Sequence, residues 1–202
     1  MRLSGLFLAL SLTVAAAFGA APAARAEAPP PVSASDRVLG RADAPVTVIE
    51  YASFVCSHCA DFHNDVLPEF KTRFIDTGKA KLVFRNLPTN PANVAFAAAA
   101  LARCAAPERY FDVTRSLFAG QAGLFAGGGQ AWFANAAAAS GRSREEIETC
   151  FADPATKAAI DADVEGATAA GVTGTPSFFV NGRAVTDHSL AGLSAAITAA
   201  GN

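Results

Sequence analysis

Residues 46–59 read VTVIEYASFVCSHC, and this stretch decides the fold. Its first six residues form a nearly continuous apolar run, which is typical of a strand buried in the centre of a sheet. A helix is predicted directly after the stretch, because apolar residues recur every four positions from Phe62 to Phe74 and so share one helical face. Cys56 and Cys59 therefore lie where a strand ends and a helix begins.

This position gives the two cysteines different chemistry. A thiol at a helix N-terminus faces unpaired backbone N–H groups and the positive end of the helix dipole, which both stabilise the thiolate. Cys56 is therefore the predicted attacking thiol. Cys59 lies one helical turn deeper and is predicted to close or resolve the disulfide. Between them, the ring of His58 is expected to favour the Cys56 thiolate further.

Two other interpretations of the cysteine pair stay open at this point. A metal-binding protein would use Cys56, Cys59 and a histidine, but a structural zinc site needs four ligands. His63 is the only other nearby donor, and His188 is remote and predicted to be a polar neighbour of a helix cap. The pair is also compatible with a purely structural disulfide. We favour a redox-active pair without a metal ion or cofactor.

The N-terminal segment has the three regions of a secretory signal peptide, predicted for residues 1–26. Arg2 is followed by an apolar run over 6–17, and Ala24-Arg25-Ala26 resembles a cleavage site. An uncleaved membrane anchor is the alternative, although the apolar run is shorter than the roughly 20 residues of a spanning helix. Residues 27–36 are predicted to be a disordered lead-in.

Composition narrows the function classes. The chain has 202 residues, of which 51% are hydrophobic and 17% charged, which excludes a wholly disordered protein. Its 16 basic and 18 acidic residues give a net charge of −2, so there is no basic excess for a nucleic acid. Four cysteines are too few for a small disulfide scaffold, but suffice for one reactive pair and one structural pair.

The remaining elements suggest a sheet interrupted by helices. A second strand is predicted over 81–86, helices follow from about 88 to 168, and a hairpin is predicted where Asn181-Gly182 separates two short apolar runs. The predicted helix starts are marked by Asn90-Pro91, by Ser143-x-x-Glu146 and by Asp153-Pro154. The resulting order, strand–helix–strand, helices, then two strands and a helix, suits an α/β fold.

The chain resembles a known family at three points. The strand-Cys-x-His-Cys-helix element, the helical insertion, and Gly174-Thr175-Pro176 ahead of the hairpin look like the DsbA-like thiol:disulfide oxidoreductases of the thioredoxin superfamily. The resemblance implies a thioredoxin-like domain over 37–202 with an inserted helical domain at about 88–168. It also implies that Thr175 precedes a cis proline, Pro176, beside the redox-active pair. An ordinary trans proline at the start of a strand is the alternative.

The same resemblance gives roles to three more residues. The family keeps an acid at the position of Glu50, thought to relay protons to or from the deeper cysteine; the alternative is a glutamate that reaches solvent at the end of its strand. Cys104 and Cys150 are expected to pair as a structural disulfide in an oxidising compartment, as in many relatives of DsbA. The alternative there is two buried free thiols.

The implied function is that of a periplasmic enzyme that introduces disulfides into exported proteins. Its expected partners are folding proteins with free cysteines and a membrane protein of the DsbB type that reoxidises it. A monomer is predicted, because residues 27–36 are too few for the N-terminal dimerisation domain of an isomerase. A disulfide reductase or isomerase, kept reduced by a DsbD-type partner, is the alternative enzyme.

Overall fold

The computed structural model describes residues 28–201, so the signal peptide predicted for 1–26 lies outside the described residues. The strands are β1 Arg37–Leu39, β2 Val46–Ala52, β3 Ala80–Asn86, β4 Ser177–Val180 and β5 Arg183–Val185. The helices are α1 Ser57–Asp61, α2 Leu67–Phe70, α3 Ala92–Cys104, α4 Tyr110–Gly123, α5 Gly129–Ala138, α6 Arg144–Ala152, α7 Pro154–Ala169 and α8 Leu190–Ala200. Within 28–201, no helix combines the length and apolar character needed to cross a bilayer.

The strands form one mixed sheet in the order β1-β3-β2-β4-β5. β2 is central, parallel to β3 and antiparallel to β4. The two strands predicted at 46–51 and 81–86 are confirmed as β2 and β3. The three-residue strand β1 at the sheet edge was not predicted, because it is too short to show a periodic pattern.

Side chains of β2 alternate between the two faces of the sheet. Val46 and Val48 pack against the helical segment that follows the cysteines and against α8. Ile49 and Tyr51 pack on the opposite face, where Ala167 of α7 covers them. Glu50 has the same parity as Val48, so the carboxylate points into the face that carries the cysteines.

The predicted helix after the cysteines runs from α1 to residue 75, with π-helical turns at Phe62–Val66 and Lys71–Ile75. Pro68 lies in α2, between these turns, and cannot donate a backbone hydrogen bond. The wider turns accommodate this missing donor without ending the helix. The predicted apolar face is confirmed, since Phe62 and Phe70 are buried in the cluster under the sheet.

The predicted helical insertion is confirmed as α3–α7, which lie between β3 and β4. Ser143 and Glu146 form the predicted capping box, and Asp153 caps α7. The sequence predicts that Asn90 caps α3 and that Pro91 is its first helical residue, and this prediction was wrong. Pro91 takes the N-cap position of α3, and no side chain caps this helix.

The predicted hairpin is confirmed at β4 and β5. Asn181 and Gly182 both have positive φ, of 45° and 80°. This is the backbone geometry that an Asn-Gly turn adopts most easily.

The lead-in at 28–36 differs from the disordered segment that the sequence predicts. Asp36 forms two hydrogen bonds with Arg85 of β3, at 2.9 and 3.0 Å, and both side chains are almost fully buried. The same guanidinium donates to the carbonyl oxygens of Pro30 and Pro31. A buried cation thus orders a segment whose own composition favours no regular structure.

Candidate active site

A tight turn presents Cys56 at the end of β2. The backbone N–H of Cys56 donates to the carbonyl of Ser53 at 3.1 Å, and Cys56 is the N-cap residue of α1. Its sulfur accepts the backbone N–H of Cys59 at 3.4 Å and lies 3.3 Å from the carbonyl oxygen of Thr175. The Cys56 thiol is only half-buried, so a second thiol can reach it.

The surroundings of Cys56 favour its thiolate. The pKa of Cys56 falls from 9.0 to about 5, and the largest cause is the hydrogen bond from the thiol of Cys59. Burial opposes this shift. The side chain of Thr175 and the backbone N–H groups of Cys59 and His58 reinforce it. Cys56 is therefore ionised at neutral pH, and the thiolate is the nucleophilic form.

Cys59 has the opposite character. Its side chain has no exposed surface, and burial raises its thiol pKa far above the ordinary value. The hydrogen bond to Cys56 and the negative charge of Glu50 raise this pKa further. Cys59 consequently holds its proton. Both cysteines are reduced in this structure, since no disulfide joins them.

A cleft of about 470 Å³ opens beside Cys56. His58, Thr175, Pro176 and His188 line it, together with Asp61, Phe62, Asp65 and Val66. The peptide bond between Thr175 and Pro176 is cis. His58 touches the thiolate site through its backbone N–H, whereas its ring is exposed at the cleft.

The position of His188 was missed by the sequence reasoning, which placed it only near a helix cap. Its ring packs edge-on against Phe178, with centroids 5.1 Å apart, and its Nε2 lies 3.0 Å from the carbonyl oxygen of Val185. These contacts place the ring at the cleft, although His188 is far from the cysteines along the chain.

Gln121 of α4 is a second residue that the sequence did not indicate. Its side-chain amide donates to the carbonyls of Phe54 and Cys56, at 2.8 and 3.0 Å. Gln121 is 4% exposed. The helical insertion is thereby fastened to the turn that carries Cys56.

Glu50 is fully buried, so the alternative of a glutamate that reaches solvent is wrong. It is also not unpaired. His63 Nε2 lies 3.1 and 3.0 Å from its two carboxylate oxygens. His63 follows Cys59 by four residues, which places both on one face of the helix and is the signal that could have revealed the contact.

Cys104 and Cys150 are joined by a disulfide with an S–S distance of 2.00 Å. This bond ties the end of α3 to α6 within the insertion. Among residues 28–201, no three His, Cys, Asp or Glu side chains are grouped in a way that could hold a metal ion.

A strand that delivers a reactive cysteine to a helix N-terminus, beside a cis Thr175–Pro176 peptide bond, defines a redox protein built on a thioredoxin-like sheet. The thioredoxin family model matches residues 33–199, and the chain belongs to this family. A putative protein-disulfide oxidoreductase of Rickettsia bellii is 31% identical over 169 residues, and the match covers 82% of this chain. It covers 64% of that relative, so the chain spans about three fifths of the length of such curated relatives.

Solved structures share the fold. Wolbachia pipientis alpha-DsbA1 is 27% identical, with a TM-score of 0.74 over 84% of this chain and 92% of that one. BdbD from Bacillus subtilis is 21% identical, with a TM-score of 0.75 over 88% of this chain and 98% of that one. The predicted α/β fold with a helical insertion is therefore confirmed as that of DsbA-like proteins.

Proposed function

We propose that this protein is an exported thiol:disulfide oxidoreductase that introduces disulfides into other exported proteins. The observation that carries the proposal is the contrast between Cys56, with a thiol pKa of about 5, and Cys59, whose thiol pKa is raised. A dithiol pair becomes a stronger oxidant when its reduced form is stabilised, because reduction of its disulfide then releases more free energy.

The proposed reaction proceeds through a mixed disulfide on Cys56. A client thiolate attacks Cys56 in the oxidised pair; the bond to Cys59 breaks, and its electron pair leaves on Cys59, which takes up a proton. A second client thiolate then attacks the client sulfur of the mixed disulfide. The client is released with a new disulfide, and Cys56 leaves as the stabilised thiolate.

The cleft beside Cys56 is the proposed docking site for the client chain. Thr175 and Pro176 line this cleft, and the carbonyl oxygen of Thr175 lies 3.3 Å from the reactive sulfur. Exposed His58 lines the same cleft. We assign these three residues to client binding, with Thr175 also stabilising the thiolate.

Two features support an exported, oxidising location. The sequence of residues 1–26 has the organisation of a signal peptide. The Cys104–Cys150 disulfide is of a kind that persists in the periplasm and is rare in the cytosol. The DsbA-like fold also supports our proposal that a membrane partner of the DsbB type reoxidises the protein.

The direction of electron flow can be determined from the redox state of the cysteine pair in cells. Rapid acid quenching, alkylation and mass analysis would trap the redox state of Cys56 and Cys59 in the native compartment. We expect an oxidised pair at steady state, and transfer of this disulfide to a reduced two-cysteine peptide by purified protein. The Cys56→Ser variant is the matched control. A pair that is reduced in cells would reject the oxidase proposal in favour of a reductase or isomerase.

A further inference from the structure

A buried pair of a carboxylate and an imidazole, Glu50 and His63, lies behind the cysteines. Glu50 has no exposed surface, and the side chain of its partner His63 is 3% exposed. The His63 Nε2 atom faces both carboxylate oxygens at once. A hydrogen bond between these groups needs one proton between Nε2 and a carboxylate oxygen, and this is the atom pair that a proton transfer would use.

Aromatic rings enclose this pair. Phe118 of α4 stacks on the His63 ring with centroids 4.1 Å apart, while Phe84 and Phe62 meet it edge-on at 5.6 and 5.5 Å. Glu50 is flanked in the sheet by Phe84 on β3 and Phe178 on β4. These phenylalanine rings neither accept nor donate protons, whereas the imidazole of His63, which is hydrogen-bonded to the carboxylate, can do both.

His63 lines a cavity of about 490 Å³ between the helix and α4. Asn64, Lys71, Asp76, Thr114 and Arg115 also line this cavity. Lys71 and Asp76 are exposed at the surface, so water can enter there. His63 thus lies between a cavity that solvent can reach and a buried carboxylate.

Thiol–disulfide exchange needs a route by which protons move between solvent and the protein interior, because Cys59 has no exposed surface. Cleavage of the Cys56–Cys59 bond leaves the electron pair on Cys59, and this sulfur must gain a proton. Reoxidation must remove the same proton. Cys59 packs in the same buried cluster as Phe84, the neighbour of Glu50 in the sheet, and the charge of Glu50 acts on this thiol.

We propose that His63 is a proton-relay residue that carries protons between this cavity and Glu50, and through Glu50 to and from Cys59. The proposal rests on the thiol–disulfide exchange proposed above. During reduction, Nε2 of His63 passes a proton to Glu50, which protonates Cys59, and His63 is reprotonated from the cavity. During reoxidation the proton returns from Cys59 through Glu50 and His63 to the cavity.

Few other titratable or charged groups are seen along the proposed proton path. Cys59 faces it from the same helix, and Glu50 faces it from β2. Around the cavity, Lys71 is paired with Asp76, and Arg115 of α4 is paired with Asp112. Of these groups, only His63 contacts the buried carboxylate and also borders the cavity.

The test measures single-turnover reduction of the oxidised protein by dithiothreitol and its reoxidation by oxidised glutathione, with acid quenching and mass analysis. His63→Phe keeps the aromatic packing and removes the relay. We expect it to slow both steps by about 10²-fold, the low end of the range for acid–base catalysis. The rate of Cys56 alkylation in the reduced protein is expected to stay unchanged, because this reaction needs no proton at Cys59.

The His63→Ala variant distinguishes a proton-transfer role of His63 from a merely structural one. Its shortened side chain leaves room beside the cavity for imidazole, which is expected to restore the rates at least about tenfold in this variant and to leave wild type unaffected. Asn64→Ala is the matched control. It removes a hydrogen bond to the Phe118 carbonyl on the same cavity wall but no titratable group, and should keep wild-type rates.

Wild-type rates in folded His63→Phe, or folded His63→Ala that imidazole leaves slow, would overturn the relay. These outcomes are separate from failure of the proposed function. Dithiothreitol and glutathione report only on the cysteine pair, whereas the oxidase proposal is decided by disulfide transfer to a client and by the redox state in cells.

Discussion

The backbone N–H of Cys59 points at the sulfur of Cys56 from 3.4 Å, while the thiol of Cys59 itself is sealed from solvent. One residue therefore both stabilises its partner as a thiolate and remains protonated in the interior. The two cysteines are unequal before any client arrives: one is accessible and ionised, and the other is buried and neutral.

This inequality predicts which variant traps clients. Cys59→Ala leaves the accessible nucleophile in place and removes the thiol that would release a client from Cys56. We expect mixed disulfides to accumulate on Cys59→Ala and to disappear with reductant, as seen on non-reducing gels with mass spectrometry. Cys56→Ala is the control and should trap none. Trapping by Cys56→Ala alone would reverse the two roles.

The thiolate also predicts that the reduced protein is more stable than the oxidised protein at pH 7. The folded pKa of Cys56, about 5, lies below its ordinary value of 9.0, so its ionisation favours folding of the reduced form. This contribution is fully present above pH 9 and is lost as the pH falls through about 5. At pH 7 we expect about 1–2 kcal/mol, after allowance for the partial exposure of the sulfur.

Urea unfolding of both redox forms at pH 7 and pH 4 measures this difference. The opposing chain-entropy effect of the Cys56–Cys59 bond is small, because the bond closes a loop of only a few residues. The advantage of the reduced form should be largely gone at pH 4. A more stable oxidised form at pH 7 would contradict the prediction and remove the physical basis for a strong oxidant.

The pair of Asp36 and Arg85 predicts a large loss of stability for Arg85→Met. This substitution leaves the Asp36 carboxylate buried without its cation, and removing one partner of a buried ion pair costs about 3 kcal/mol or more. Arg144→Met is the matched control. Arg144 is 92% exposed in its pair with Glu148, and its loss should change the free energy of unfolding by less than about 0.5 kcal/mol. Equal losses from both substitutions, measured in urea, would show that the Asp36 pair does not stabilise the lead-in.

The Cys104–Cys150 disulfide is predicted to be structural and to resist mild reductant. It links residues 46 positions apart, so the chain-entropy model gives an upper limit of about 4 kcal/mol for its contribution to stability. The double variant Cys104→Ala/Cys150→Ala should lower the urea midpoint and still transfer disulfides from Cys56. Alkylation of native protein in mild reductant should modify neither residue; modification of both would contradict a structural role.

Local patterns explain which parts of the fold could be predicted. The capping box at Ser143 and Glu146 and the Asn181-Gly182 turn depend on residues adjacent or one helical turn apart, so short stretches of sequence suffice. The wrong prediction for the Asn90 cap also came from a short stretch of sequence. A favourable residue was present, but the chain approaches α3 in a geometry in which Pro91 takes the cap.

Sequence by itself determined the central strand, the placement of Cys56 at a helix start and the helical insertion, because periodicity and capping act over a few residues. Only the tertiary structure decided what surrounds these elements. Glu50 meets His63 across the sheet–helix interface, Arg85 holds Asp36 from 49 positions away, and Gln121 reaches the turn at Cys56 from 65 positions away. A buried polar group needs a partner, but sequence does not say which one, because the choice depends on which distant side chains the packed core brings within hydrogen-bonding distance.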